Sequence, residues 1–156
     1  MTSREGQDGN RVKPAGGGGT SLILSAGTVI GGKFRIEKRI ARGGQASVYL
    51  AYQEPLNRPV ALKLLSPPNQ EATAEEREAF EQRFLLEART LAGLDHPNIV
   101  TVFDYGETDD GRYYLAMEYI SGGRFLDLLK QGRLQAGRAV GLVIQVAQAL
   151  RYAHKR

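Results

Sequence analysis

The sequence predicts an α+β fold: a five-stranded antiparallel sheet, one large helix after the third strand, and two shorter helical segments beyond a glycine break. Three observations carry that prediction. Apolar and polar residues alternate in short runs between residues 34 and 65, and aromatic-rich runs follow between 99 and 119. Apolar residues recur at helical spacing between 74 and 94. After Ser121-Gly122-Gly123 the composition turns helical and stays so to Arg156.

Composition narrows the function classes. At 156 residues the chain is one domain with a tail, or part of a larger domain. A hydrophobic fraction of 42% is enough for a packed core. The chain has no cysteine, which excludes a disulfide framework and a thiolate metal site. His96 and His154 leave little for a histidine metal site, and none is expected. The formal charge of +4 is spread without a basic stripe, so a solvated surface with a few phosphate contacts explains it better than nucleic-acid binding. No run approaches the ~18–20 apolar residues of a membrane helix. A cytoplasmic chain without a membrane segment is the expectation.

The elements follow in order. Residues 1–33 form a glycine-rich leader, including Gly16–Gly19, whose composition cannot offset the entropy of ordering; disorder is expected. Leu22-Ile23-Leu24 within it is apolar enough to dock on a domain. The first domain spans 34–119. Phe34, Ile36 and Ile40 alternate with charged residues as a half-exposed strand, and Ala41–Ala46 makes the turn. Val48, Leu50 and Tyr52 then share one face of a second strand. Pro55, Asn57 and Pro59 mark the next turn. Val60–Leu65 is a third strand, with Ala61, Lys63 and Leu65 on one face and Val60, Leu62 and Leu64 on the other. Ala74–Leu94 is the large helix, with Glu75 and Glu76 in its first turn. Ile99–Tyr105 and Tyr113–Tyr119 are strands joined by a hairpin at Asp110-Gly111. Residues 120–156 hold a hinge, a short helix at Phe125–Lys130 and a longer one at Arg138–His154. On the longer helix Val140, Val143, Ala147 and Leu150 fall on one stripe, broadened by Leu142 and Val146. That is more apolar surface than one isolated helix covers, so self-association through this helix is expected.

Two charged residues stand out. Lys63 lies among aliphatic residues of a strand, and a buried ammonium is costly unless a carboxylate pairs with it. On the large helix Glu87 falls between Phe84 and Leu91, inside the stripe that Phe80 and Ala88 complete. An inward cation and an inward anion beside a glycine turn suggest a site for a polyanion such as a nucleoside triphosphate. A purely structural ion pair is the competing reading.

The pieces Ile40-Ala-Arg-Gly-Gly-Gln-Ala-Ser-Val-Tyr-Leu-Ala51, Val60-Ala-Leu-Lys63, Phe84-Leu-Leu-Glu-Ala88, His96-Pro-Asn-Ile-Val100 and Met117-Glu-Tyr-Ile-Ser-Gly-Gly123 occur in one order. Together they resemble the first half of a protein kinase catalytic domain, of the bacterial eukaryotic-like serine/threonine type. The resemblance runs from about Phe34 to Arg156. It implies a kinase N-lobe, a hinge, and the first two helices of a truncated C-lobe. It implies ATP as cofactor and phosphoryl transfer to serine or threonine of a protein whose identity the sequence does not give.

By that resemblance Lys63 holds the α- and β-phosphates and Glu87 positions it. Ile40, Ala41, Arg42, Gly43, Gly44, Gln45 and Ala46 form the phosphate-covering loop, in which Ala41 and Ala46 stand where the family has glycine. Val48 and Ala61 roof the adenine, Met117 backs it, and the main chain of Glu118 and Ile120 pairs with its edge. Arg124 replaces an acidic ribose contact, with Asp127 one turn on. His96 reads as a turn residue bonded to backbone. Mg²⁺ belongs to the complete domain, but the His-Arg-Asp and Asp-Phe-Gly motifs that supply the catalytic base and a metal ligand do not occur in this sequence. The chain alone is therefore expected to be inactive. The alternative is a catalytically dead nucleotide-binding or interaction module.

Overall fold

The computed structural model describes residues 23–44, 46–66, 68, 72–130, 132 and 134–156. Strands β1 (Val29–Ile30), β2 (Phe34–Arg42), β3 (Ala46–Gln53) and β4 (Arg58–Leu65) precede helix α1 (Ala74–Ala92); β5 (Val102–Glu107), β6 (Tyr113–Glu118), α2 (Phe125–Lys130) and α3 (Ala136–Ala153) follow. The sheet has six strands in the order β1-β2-β3-β4-β6-β5, every neighbouring pair antiparallel. The predicted architecture is therefore present with one strand more than expected.

The added strand lies inside the stretch read as leader. Ile30 is buried, and its carbonyl accepts from Lys33 N–H across Gly31 and Gly32, both at positive φ. Two positive φ values at the centre of a two-residue turn match the twist of a hairpin, and glycine adopts them without strain. Leu24 packs on the core and its N–H donates to the Tyr49 hydroxyl at 3.3 Å. Residues 23–33 are thus part of the domain's packing, and the expected boundary at 33 falls inside structured chain. Residues 1–22, with Leu22 and Gly16–Gly19, lie outside the described residues.

The sheet curls. β2 and β5 are four strand steps apart in hydrogen-bonding order, about 19 Å if the sheet were flat. Yet Lys33, just before β2, donates from Nζ to Asp104 Oδ2 on β5 at 3.0 Å. The Phe34 and Tyr114 rings sit 5.3 Å apart, and Arg58 stacks on the Phe103 ring at 3.7 Å. Inside the curl lies the main core: Ile30, Phe34, Ile36, Tyr49, Ala51, Val60, Leu62, Leu64, Tyr114 and Ala116.

On the opposite face α1 covers Tyr113 and Leu115 with Phe84 and Ala88, and Phe80 and Leu65 pack at the margin. The helix is held at its start by a reciprocal cap: Glu76 N–H donates to Thr73 Oγ1, and Thr73 N–H donates to Glu76 Oε2. The hairpin at Asp110-Gly111 forms as read, with Gly111 at φ +76 and Arg112 bonded to Asp110.

Candidate functional site

The side chains on the α1 face of the sheet stand in rows fixed by register. Ala46, Leu65 and Tyr113 form the row nearest the β2–β3 turn. Ala41, Val48, Lys63 and Leu115 form the next. Leu50, Ala61 and Met117 form the third, about 7 Å farther on at two residues per row. Six of the residues picked from the sequence, Ala41, Ala46, Val48, Ala61, Lys63 and Met117, are therefore brought onto one face. Leu50 and Leu115, not picked, complete it. The alternation of Leu50 with Val48 was the signal for the first, and the pairing of Leu115 with Lys63 needed the β4–β6 register.

Chemically this surface is apolar except for one cation. Ala61 is buried, while Val48, Lys63 and Met117 are half-buried. Lys63 is thus as the sequence placed it, on an inward face beneath the turn. Glu87 is not its partner here. It is exposed, and no ion pair joins it to Lys63. Phe84 and Ala88 on either side of it are buried, but Leu91 is 39% exposed. The buried stripe of α1 is therefore narrower than the apolar pattern suggested, and it runs past Glu87 without including it.

At the turn, Gly43 N–H donates to Ala46 carbonyl at 2.8 Å. Ile40 is 41% exposed, and Ala41, Arg42, Gly43 and Gly44 are exposed; Gln45 lies outside the described residues. Neither Gly43 nor Gly44 has positive φ. A Cβ on Gly43 would meet Ala46 carbonyl oxygen at an ordinary 3.5 Å, and one on Gly44 would meet nothing. The chain's own packing thus leaves open space at Gly44 and an ordinary contact at Gly43.

Beyond β6 the strand becomes a connector. Glu118 N–H is taken by Thr101 carbonyl at 2.8 Å, whereas Ile120 N–H enters no backbone hydrogen bond with a described residue. Ile120 is 58% exposed. Arg124 and Asp127 form a two-point ion pair, Nε–Oδ2 3.1 Å and Nη2–Oδ1 3.0 Å, and Arg124 N–H adds a third bond to the same carboxylate. The guanidinium holds that carboxyl below the usual range. Asp127 is thus already engaged by Arg124. His96 accepts at Nδ1 from Asn98 N–H at 3.0 Å, as a turn residue bonded to backbone. Among the described residues no group of three or more His, Asp or Glu could hold a metal ion.

The profile of the protein kinase domain matches residues 34–156. The chain belongs to the protein kinase family. Among curated relatives, this kinase chain is 42% identical over 133 residues to the serine/threonine-protein kinase PknJ of Mycobacterium tuberculosis, covering 85% of this chain and 21% of that protein. It is 38% identical over 130 residues to PrkC of Bacillus subtilis, covering 83% and 19%. The kinase domain of PknI from Mycobacterium tuberculosis superposes with a TM-score of 0.68 at 32% identity, covering 86% of this chain and 54% of that one. The chain thus spans about a fifth of the length of these curated relatives and about half of that kinase domain. The resemblance read from the motifs is borne out, as is the N-lobe architecture. Among the described residues no helix is long and apolar enough to cross a membrane.

Proposed function

We propose that this chain supplies the nucleotide-holding half of a serine/threonine protein kinase. The observation that carries the reading is the row Val48–Lys63–Leu115 beside the row Leu50–Ala61–Met117, under an exposed glycine turn. ATP fits that surface chemically. Its apolar, small-residue end would accept a flat purine, and the Ile120 N–H, without a backbone partner among the described residues, offers a donor to the purine edge. Lys63, one row nearer the turn, is a cation without a carboxylate partner among the described residues, so its charge is available to phosphates. ATP, when bound, supplies the transferable phosphoryl group. The chain's own part is positional: Lys63 orients the phosphates, the turn excludes water above them, and Met117 limits the depth of the pocket.

One feature favours a second reading, a binding module without turnover. Glu87 is exposed and makes no ion pair with Lys63. Mg²⁺ is assigned no ligand among the described residues. Self-association belongs to the same reading: Val140, Val143, Ile144, Val146 and Leu150 on α3 are each at least half exposed. Sedimentation should show mass rising with concentration, and a strict monomer would remove that element.

Calorimetric titration with ATP tests the whole. Binding to the chain and its loss in Ala61→Trp, which fills the apolar end, are expected; unchanged binding in the variant would reject the site. Phosphate transfer to a generic protein by the chain alone, abolished by Lys63→Ala, would reject the second reading.

A further inference from the structure

A groove lies between the His96 turn and the C-terminal half of α3, lined by His96, Gln148, Arg151, Tyr152 and Lys155, with room for about 310 Å³. Gln148, Arg151 and Tyr152 lie on α3 at i, i+3 and i+4 and share one helix face, and Lys155 follows in the turn just past the helix, where its N–H donates to Tyr152 carbonyl at 3.2 Å. The turn is tied to that face. Asp95 N–H donates to the Tyr152 hydroxyl at 3.3 Å, Asn98 Nδ2 donates to Gln145 Oε1 at 3.4 Å, and the His96 and Tyr152 rings are 5.3 Å apart. The groove is therefore built from two elements fixed to each other.

Its chemistry is one-sided. His96 Nδ1 accepts from Asn98 N–H, so in the neutral ring the proton sits on Nε2 and makes a donor. Arg151, in the last turn of α3, and Lys155, just past its end, line the same groove as like charges. Neither joins an ion pair with a described residue, and Asp95 joins none either. Arg156 adds a third cation, its guanidinium 5.2 Å from the Tyr152 ring centroid. The C-terminus of α3 offsets about half a charge, well short of three cations. A carboxylate would still leave charge unmatched. A phosphate monoester carries nearly two negative charges and three acceptor oxygens, which suits a guanidinium, an ammonium, an imidazole N–H and an amide.

We propose that this groove binds a phosphate monoester, carried on a phosphorylated serine or threonine of a peptide. None of its lining residues belongs to the surface that carries Lys63, so the proposal does not depend on the nucleotide reading.

Fluorescence anisotropy tests it, using a labelled neutral peptide with one central phosphoserine and the 156-residue chain. The phosphorylated peptide should bind at least about tenfold tighter than its unphosphorylated form, and Arg151→Gln and Lys155→Gln should each weaken it about tenfold, the scale of one hydrogen bond to a charged group. Lys63→Met should leave it unchanged. Both groove substitutions are at exposed positions, and circular dichroism checks that the fold is kept. Inorganic phosphate should displace the peptide only at much higher concentration. Displacement at equal concentration would contradict the peptide as the source, in favour of free phosphate. Equal binding of the unphosphorylated peptide, or unchanged binding in the double variant, would overturn the site itself.

Discussion

The two faces of the sheet are built to different standards, and β4 shows the difference within one strand. Val60, Leu62 and Leu64, toward the inside of the curl, are 0%, 0% and 4% exposed. Ala61, Lys63 and Leu65 alternate with them on the α1 face, where Lys63 and Leu65 stay half-buried. The first face is closed by aromatic and branched side chains from β1 to β6. On the second, α1 lays Phe84 and Ala88 over Tyr113 and Leu115. Concentrating stability in one face lets the other keep small residues and a lysine with no ion-pair partner among the described residues, which a core does not tolerate.

The sharpest way to break this contrast is to cut each face at adjacent residues. Leu62→Ala should cost about 4 kcal/mol, because its fully buried neighbours leave little room for the cavity to collapse. Lys63→Met, one residue on, should change stability by less than about 1 kcal/mol. Urea unfolding of the two variants measures both, and similar losses would erase the distinction. Phe84→Ala probes the helix-covered end of the second face and should cost about 3 kcal/mol, less than Leu62→Ala despite the larger ring removed. A greater loss would mean that α1, not the curl, holds the domain together.

The smallest effects are electrostatic and sharpen the comparison at its margins. The Tyr114 hydroxyl is raised above its ordinary value, chiefly by burial and then by the Asp104 carboxylate. A raised folded value means that its contribution is full below the ordinary tyrosine range near about 10 and is lost as pH rises through the folded value. Asp110 is lowered, first by its hydrogen bond to Arg112. Its contribution is present above the ordinary carboxylate range and is lost as pH falls through the folded value. Tyr114→Phe should therefore flatten the alkaline limb of stability against pH, and Asp110→Asn the acid limb, each slightly. Melting temperatures across pH check both; a change on the wrong limb would contradict the assignments.

Much of this was legible in the sequence because local signals agreed with the fold. Alternation placed Ala61, Lys63 and Leu65 on one face, and Asp110-Gly111 marked its hairpin. Glu75 and Glu76 marked the first turn of α1, whose start the Thr73–Glu76 cap fixes in the structure. β1 was hidden because two residues are too short for a periodicity signal; the Gly31-Gly32 turn beside Val29-Ile30 was the available cue, masked by the glycine-rich composition around it. Glu87 shows a different limit. A helical stripe tells which residues neighbour one another on the cylinder, not how wide a band the sheet covers. The buried band of α1 is set by Tyr113 and Leu115 across from it, and no local pattern records that contact.

Amide chemical-shift mapping on addition of ATP tests the central claim most directly. The account predicts shifts gathered at Gly43, Val48, Ala61, Lys63, Met117 and Ile120, with the curl-side residues Tyr49, Val60 and Leu62 shifting less than their immediate chain neighbours on the α1 face. Shifts centred on the curl side, or none at all at saturating ATP, would contradict it.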